Sequence, residues 1–299
     1  MKMIHRFIAN EATNYPVADL CRVLGVSRSG YYEWAGRAES SDDLAPRVSE
    51  VFWRHSRRYG SRRVTAELKA ESQIEGECIG RRRVQRLMRE LDLHAIQPRC
   101  FVPRTTDSRH GQQMSPNLLL EGAITARRPR QVIVGDITYL PLQSGNWAYL
   151  ASWMDLFSRK ILGWQVANSM TAELVIEALE KVIHRESPPS GLIVHSDRGG
   201  QYVDTELRKM LKENGFEQSM SRADEPYDNA YAESLFSRYK AELLEGGAFA
   251  DVEQARMETF TYIESYYNRV RRHSALGYQS PENFERAYYQ RTKARENHG

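Results

Sequence analysis

The chain is poor in cysteine, and its cysteines are far apart. Cys21, Cys78 and Cys100 are the only three in 299 residues, and none belongs to a Cys-x-x-Cys pair. This excludes a disulfide framework and a zinc finger and fits a reducing cytoplasm. No run approaches the roughly 18 apolar residues of a membrane span, and no long apolar core follows Met1. The sequence therefore predicts a soluble, cytoplasmic protein.

The chain also has little net charge, but its basic residues are unevenly spread. The formal charge is only +3, yet residues 46–104 contain 14 Lys and Arg against 7 Asp and Glu. The remainder is acidic on balance, with 28 against 32. This distribution indicates a polyanion-binding module beside a near-neutral one, with a solvated helix face as the alternative. The length predicts about two domains, and 41% hydrophobic residues can fill their cores.

Residues 1–40 predict a small helix-turn-helix unit. An apolar face over residues 17–24 breaks at Gly25, and Ser27 is the expected N-cap of a second helix over residues 28–34. A short glycine-containing turn between two helices is typical of DNA readers. A plain helical hairpin remains the alternative.

Residues 46–96 predict a second helical unit that binds DNA. One helix begins near Ser61, and after a break at residues 76–80 apolar residues recur at helical spacing over residues 84–91. The opposite face of this last helix carries five arginines: Arg81, Arg82, Arg83, Arg86 and Arg89. Because a guanidinium group can bridge two phosphate oxygens, this face predicts contact with the DNA backbone. Residues 97–128, rich in proline and without clear periodicity, predict an extended connector.

Residues 129–290 predict a catalytic core of a different kind. Three runs rich in aromatic and β-branched residues come first and predict three antiparallel strands. A helix, a strand, a helix, a strand and a further helix follow in that order. This order predicts an α/β fold with a mixed sheet of the ribonuclease H type, preceded by the all-α units.

Three carboxylates in this core have settings that suggest a metal site. Asp136 lies inside an apolar strand, where an uncompensated charge is costly, although a turn-capping aspartate is the alternative. Asp197 closes a second apolar strand and is followed by two glycines, and Glu233 lies on an amphipathic helix over residues 229–244. Hard carboxylate oxygens suit Mg²⁺, so the set predicts a two-metal site for phosphodiester chemistry.

Neighbouring polar residues have competing interpretations. Lys240 follows Glu233 by seven residues, about 20° round the helix, and could hold a phosphate beside the site. A simple surface pattern is the alternative for Lys240. Asp155 competes as a ligand, but a turn or salt-bridge role explains it more simply. His195, at a strand end, is interpreted as structural.

An ordered set of motifs carries a resemblance to a known family. The motifs are Gly135-Asp136-Ile137-Thr138-Tyr139, His195-Ser196-Asp197-Arg198-Gly199 with Gln201-Tyr202, Ser219 to Arg222, Tyr227 to Ala230 with Glu233, the tail from Tyr267 to Pro281, and Tyr59 to Arg63. Over nearly its whole length the chain resembles the transposases of insertion sequence family three, and specifically the product of the downstream one of two overlapping reading frames. It resembles retroviral integrases more distantly.

The resemblance implies a bacterial, nucleoid-associated DDE transposase that nicks and joins insertion-sequence DNA ends. It implies that Asp136, Asp197 and Glu233 are catalytic and hold two Mg²⁺ ions, for which Mn²⁺ can substitute. It implies that DNA is contacted by Lys240, Arg62, Arg63, Arg81, Arg82, Arg83, Arg86, Arg271, Arg272 and His273. The expected partners are terminal-repeat and target DNA, further copies of the chain, and an upstream-frame (OrfA) protein or fusion.

Two departures from the family pattern concern loops. Gly200 stands where the family often has serine, and residues 223–226 replace a turn containing glycine and cysteine. Two other functions remain as alternatives: a DNA-binding regulator with an inactive core of the same fold, and a structure-selective nuclease that cleaves without joining.

Overall fold

The computed structural model describes residues 2–36, 42–72, 78–97, 114–120, 125–222 and 230–297, except for the side chains of residues 2, 3, 6, 36 and 230–233. The altered loop at residues 223–226 and most of the predicted connector lie outside the described residues. Within the described ranges no helix combines the length and the apolar character needed to cross a bilayer.

The N-terminal unit consists of three short helices: α1 Lys2–Glu11, α2 Val17–Val23 and α3 Arg28–Gly36. Ile8 and Cys21 are buried between them. The predicted break is confirmed at Gly25, whose φ of +67° is a conformation that costs glycine little. The predicted cap is confirmed as well, because Ser27 Oγ accepts the Gly30 N–H at 3.0 Å. Helix α1 is an addition to the predicted pair.

The second helical unit, called here the basic domain, contains α4 Ala45–Arg54, α5 Ser61–Glu71 and α6 Arg81–Glu90. Its core is apolar and fully closed, with buried side chains from each helix: Val48, Phe52, Val64, Leu68, Val84 and Leu87. The predicted apolar face of α6 is confirmed except at Leu91. That residue is 40% exposed because the helix ends at Glu90 and Leu91 is its C-cap.

The core is built on one five-stranded sheet. The strands are β1 Val132–Pro141, β2 Trp147–Asp155, β3 Ile161–Ala167, β4 Ile193–Ser196 and β5 Glu217–Met220. Their order is β3-β2-β1-β4-β5. The first three are antiparallel neighbours, whereas β4 is parallel to both β1 and β5. The prediction of three antiparallel strands within a mixed sheet is confirmed.

Helices cover both faces of the sheet. They are α7 Ala172–Glu186, α8 Thr205–Glu213, α9 Ala230–Leu244, α10 Val252–Phe260 with a π-helix at Thr261–Tyr267, and, after a 3₁₀ turn at Ser274–Leu276, α11 Pro281–Glu296. Successive strand residues point to opposite faces, so Ile133 packs with α7 and α8 while Val134 packs with α9 and the π-helix. Both faces are therefore buried.

Residues 114–120, a described part of the predicted connector, lie along the outer edge of the sheet. The Met220 N–H of β5 donates to Pro116 O at 3.2 Å, and Ser219 Oγ accepts the Leu118 N–H at 2.9 Å. Ser115 Oγ donates to Gln218 Oε1 at 2.7 Å. Residues 114–120 thus satisfy polar groups that an edge strand would leave open.

The basic domain is docked on the core through aromatic and charged groups. The Tyr59 hydroxyl accepts the Arg272 N–H at 2.7 Å and donates to Val270 O at 3.4 Å. The Arg58 guanidinium lies 4.7 Å from the centre of the Tyr266 ring. Cation–π and hydrogen-bond contacts of this kind hold the two units in a defined orientation.

Candidate active site

The two predicted aspartates lie on or just after two neighbouring parallel strands. Val134 of β1 pairs with His195 of β4. Asp136 lies two residues further along β1, and Asp197 is the first residue after β4, so both carboxylates lie where the pairing of these two strands ends. Both side chains are partly exposed. The sheet therefore brings together two carboxylates that are sixty-one positions apart in the chain.

The charges of both carboxylates act on a buried tyrosine, Tyr202. Burial raises the pKa of Tyr202 well above its usual value, and the charges of Asp136 and then Asp197 raise it further. A single phenol can respond to both only if the two carboxylates lie near one point in space. The pKa of Tyr202 and the pairing of β1 with β4 therefore indicate the same location for the two carboxylates.

The loop after β4 holds Asp197 by its own backbone. Asp197 Oδ1 accepts the Gly199 N–H at 2.9 Å. A Cβ atom at Gly199 would lie 3.0 Å from that same oxygen, so a larger residue would displace the carboxylate or the loop. On β1, Asp136 Oδ1 accepts the Ile137 N–H at 2.8 Å. Each carboxylate is thus oriented before any ligand arrives.

The position before Asp136 has room for glycine only. Gly135 pairs with Trp153 of β2, and a Cβ atom at Gly135 would lie 2.2 Å from the Trp153 ring. Trp153 is buried, and its Nε1–H donates to Val175 O of α7 at 3.2 Å. The indole therefore occupies the space directly beneath the strand that presents Asp136.

Helix α9 passes beside this pair. Burial lowers the pKa of Lys240, and the carboxylate of Asp136 acts in the opposite direction. The ammonium group is thus partly buried within electrostatic range of Asp136, which favours the site-facing interpretation over a surface pattern. Glu233 belongs to α9, but its side chain lies outside the described residues. Among the described side chains no cluster of three metal-ligating groups occurs.

The structure gives Asp155 and His195 structural roles. Asp155 is fully buried and accepts N–H groups of Ser158 at 2.7 Å and Arg130 at 2.8 Å, so it closes a turn as predicted. Burial raises the pKa of Asp155. His195 is also fully buried, with Nδ1 2.9 Å from Ser219 Oγ. It links β4 to β5, and the structural interpretation is confirmed.

Comparison with known proteins identifies the family. Profiles of the integrase core domain match residues 126–226 and 214–281, and a profile of an HTH-like domain matches residues 39–101. A 31 kDa protein of insertion element IS600 from Shigella sonnei is 40% identical over 91% of this chain and 99% of its own length. Transposase InsF of IS3A from Escherichia coli (strain K12) is 39% identical over 95% of this chain and 98% of its own length. The chain belongs to the IS3 family of transposases.

The predicted fold and function are confirmed at this level. The transposase has an integrase-like ribonuclease H core preceded by helical units, and it is a DDE-type polynucleotidyl transferase. The regulator and nuclease alternatives are not favoured by these relatives. Among solved structures, a simian T-cell lymphotropic virus intasome matches 80% of this chain and 74% of that chain, with 13% identity and a TM-score of 0.43.

The arginines of the transposase's α6 fall into two groups. Arg83 binds Asp42 and Asp43, and Arg86 Nη2 lies 2.8 Å from Asp42 Oδ2. These hydrogen bonds lower the pKa of Asp42 to about 2. By contrast, three arginines are exposed and pair with no carboxylate in the part of the chain that the structure describes: Arg81, Arg82 and Arg89. Only this second group presents unoccupied guanidinium groups to solvent.

Several arginines expected at DNA bind carboxylates of the protein instead. Arg271 is 2% exposed and binds Glu242 through two nitrogens, with Nη2 2.5 Å from Oε1. Arg272 binds Glu67 of the basic domain, and Arg63 Nη1 lies 4.0 Å from Glu242. The expectation that Arg271 contacts DNA is corrected by its burial, and Arg63 and Arg272 are occupied at the contact between the two units.

His273 belongs to the same interior network. Its Nε2 lies 3.4 Å from Arg271 Nη1, and its ring packs edge-on against Tyr267. Burial and the charge of Arg271 lower the pKa of His273 well below its usual value. The residue is only partly exposed and its ring contacts other side chains of the protein, so the predicted phosphate contact at His273 stays a prediction. Arg62, by contrast, is exposed on α5.

Two residues that support the site were missed by sequence reasoning. Trp153 and Tyr202 pack edge to face, with ring centres 5.7 Å apart, beneath the aspartate pair. The sequence contained a signal for each: Gly135 preceding the strand aspartate, and Tyr202 within the glycine-containing turn after Asp197. Neither signal reveals which ring fills the space under the carboxylates.

Proposed function

We propose that Asp136, Asp197 and Glu233 form the catalytic triad of this transposase and hold two Mg²⁺ ions, with Mn²⁺ as a substitute. The supporting observation is the pairing of β1 with β4, because Asp136 lies two residues past the last pair on β1 and Asp197 directly follows β4. The donor chemistry fits, because both residues offer hard carboxylate oxygens on a partly exposed surface. Glu233 lies on the helix that places Lys240 beside Asp136.

The protein's own groups orient the reaction. When bound, Mg²⁺ stabilises the entering and leaving oxygens of the displacement at phosphorus. The backbone N–H groups of Ile137 and Gly199 fix the carboxylates. Lys240 supplies a positive charge for a phosphate of the DNA end. Nicking adds water across a phosphodiester bond and frees a 3′-hydroxyl, and joining exchanges a target phosphodiester bond for a new one. Neither step requires an oxidant.

The experiment that tests this function is cleavage and joining of insertion-sequence end DNA by the full chain with Mg²⁺. Labelled ends should be nicked at the 3′ strand and then joined to target DNA, and chelation of the metal should stop both reactions. Cleavage without joining would support the structure-selective nuclease instead. Binding of the ends without any cleavage would support the regulator.

Lys240→Met should weaken engagement of the DNA end without loss of fold. A charge-assisted hydrogen bond contributes about 1.5–3 kcal/mol, so the DNA concentration at half-maximal cleavage should rise roughly ten-fold or more. Methionine keeps the length of this partly buried side chain. Lys209→Met, at an exposed position on α8, is the matched control and should leave the value unchanged. A fall in thermal stability in place of a binding defect would make Lys240 structural.

We infer that the exposed arginines of the basic domain bind the DNA backbone. Arg81, Arg82 and Arg62 support this, because they present unoccupied charge on the exposed sides of α5 and α6. Arg83 and Arg86 are close enough to join them, but they first have to exchange the carboxylate of Asp42 for a phosphate. Their net contribution to affinity is therefore smaller.

The double variant Arg81→Gln, Arg82→Gln should reduce the salt dependence of DNA binding. Each lost phosphate contact lowers the slope of log K against log salt by about 0.9, so a decrease of about 1.8 is expected. Arg83→Gln is the matched control on the same helix, and it should change the slope less because Asp42 and Asp43 already bind it. An unchanged slope in the double variant would mean that this face of α6 is only hydrated and does not contact DNA.

The proposed partners follow from the reaction. One active site serves one DNA end at a time, so joining requires at least two ends held together. We therefore propose that the transposase acts as a homo-oligomer on its terminal repeats and target DNA, in the cytoplasm at the nucleoid. An upstream-frame (OrfA) protein, as partner or fusion, is proposed to supply further contacts.

A further inference from the structure

Tyr202 carries a buried polar group that the fold does not use. The residue is 2% exposed, and its hydroxyl finds no hydrogen-bond partner among the described residues. Most buried polar groups in proteins are hydrogen-bonded, because leaving one unpaired costs free energy. A phenylalanine would fill the same space without this cost. The hydroxyl therefore requires an explanation other than packing.

The hydroxyl is shielded from solvent, and the residue that carries it is held by several contacts. The backbone of Tyr202 is held on both sides, since its N–H donates to Gly199 O at 2.9 Å and its carbonyl accepts Gln218 Nε2 at 2.6 Å. The ring is fixed edge to face against Trp153, and a Cβ atom at Gly199 would contact its Cδ2 at 3.6 Å. Tyr202 is thus held in the turn by its backbone, with its ring packed against the indole.

The buried hydroxyl of Tyr202 lies near Asp136 and Asp197. Tyr202 belongs to the same turn as Asp197, and the charges of both Asp136 and Asp197 raise its pKa. The two predicted ligands are thus the charged groups that act on this phenol, which has one proton to donate. Donors to ligating carboxylates orient them and adjust their basicity.

We propose that Tyr202 is a positioning residue of the transposase, whose hydroxyl donates a hydrogen bond to the Asp136–Asp197 carboxylate pair when the site holds its metal ions. This inference rests on the proposed function of those two carboxylates. In the unbound chain the donor is left unpaired, and ligand binding satisfies it. Part of the stability lost by burying the hydroxyl is thereby returned as affinity for the metal.

Tyr202→Phe tests the proposal in the full chain, because it removes only the hydroxyl. The half-saturating concentrations of Mg²⁺ and Mn²⁺ for cleavage should rise about ten- to a hundred-fold, as is typical when a donor to a metal-ligating group is lost. The melting temperature without metal should stay unchanged or rise, because an unpaired polar atom has been removed. The rise in melting temperature on adding Mn²⁺, measured without DNA, should shrink in parallel.

Tyr239→Phe is the matched control. Tyr239 is equally buried, but its hydroxyl lies 2.5 Å from Thr259 Oγ1, whose own proton goes to Ala255 O. Loss of this satisfied bond should lower the melting temperature and leave the metal dependence of cleavage unchanged. The two variants are therefore expected to show opposite patterns of stability and metal response.

Two results would overturn the proposal. One is a Tyr202→Phe chain with wild-type metal dependence in both cleavage and thermal shift. The other is a Tyr202→Phe chain that melts earlier, as Tyr239→Phe does, with no change in metal response. Failure of the wild-type chain to cleave end DNA, or cleavage by Asp136→Asn, would instead refute the proposed function. The two failures are thus distinguishable.

Discussion

Asp136→Asn and Asp197→Asn should each abolish cleavage of insertion-sequence ends, with a rate loss of about a thousand-fold or more. The amide keeps the shape of the side chain but removes the charge that holds a divalent cation, which supplies several kcal/mol to the transition state. Glu233→Gln is expected to have the same effect. Single-turnover cleavage of labelled end DNA in Mg²⁺ measures the loss. DNA binding should stay within about two-fold, because the exposed arginines of the basic domain are untouched.

Matched carboxylate variants separate this effect from a general change of charge. Asp251 caps α10 by accepting the Gln254 N–H at 2.8 Å, and asparagine can make the same cap, so Asp251→Asn should cleave normally. Glu217 is exposed on β5, and Glu217→Gln should likewise be neutral. Wild-type cleavage by any one triad variant would remove that residue from the triad.

Arg271→Met should destabilise the transposase by about 3–5 kcal/mol, because it leaves a buried carboxylate without its main partner. Arg271 and Glu242 are each only 3% exposed at the side chain, and the guanidinium group binds both carboxylate oxygens. Tyr262 donates to the same carboxylate at 2.8 Å, which is not enough to replace a positive charge. Chemical denaturation measures the loss.

The destabilisation caused by the same variant should become smaller in acid. Burial raises the pKa of Glu242, but the hydrogen bonds and charge of Arg271 outweigh burial and hold the pKa below its usual value. A depressed carboxyl pKa contributes stability that is complete above the unfolded pKa of about 4.3 and is lost as the pH falls through the folded pKa. Without Arg271 this contribution is already missing at neutral pH, so the difference in unfolding free energy between the wild type and the variant should shrink as the pH falls below about 4.3, as unfolding curves at successive pH values will show.

Arg256→Met is the control for the buried pair. Arg256 forms an exposed i,i+3 pair with Glu253, and its loss should change stability by less than about 1 kcal/mol. Equal effects of the two substitutions would mean that the Arg271 pair is as weak as a surface pair. Reduced DNA binding by a stable, well-folded Arg271→Met chain would restore the original expectation of a DNA contact.

Local patterns in the sequence predicted the order of strands and helices. Apolar runs and their period report which face of each element is buried, so the sequence predicted the three antiparallel strands, and the helix predicted over residues 229–244 is present at residues 230–244. The settings of Asp136 and Asp197 also indicated that they would meet. The structure places them together, whereas the roles of the triad remain predictions.

What the sequence by itself determined was the family, the mixed sheet and the candidate carboxylates, because each leaves a mark within a short stretch of chain. Only the tertiary structure decided which charges face solvent and which face each other. An arginine looks the same in the sequence whether it meets DNA, as proposed for Arg81, or a distant carboxylate, as Arg271 meets Glu242. The unpaired hydroxyl of Tyr202 is likewise invisible until strands, turn and indole are packed around it, because satisfaction of a polar group depends on contacts between segments far apart in the chain.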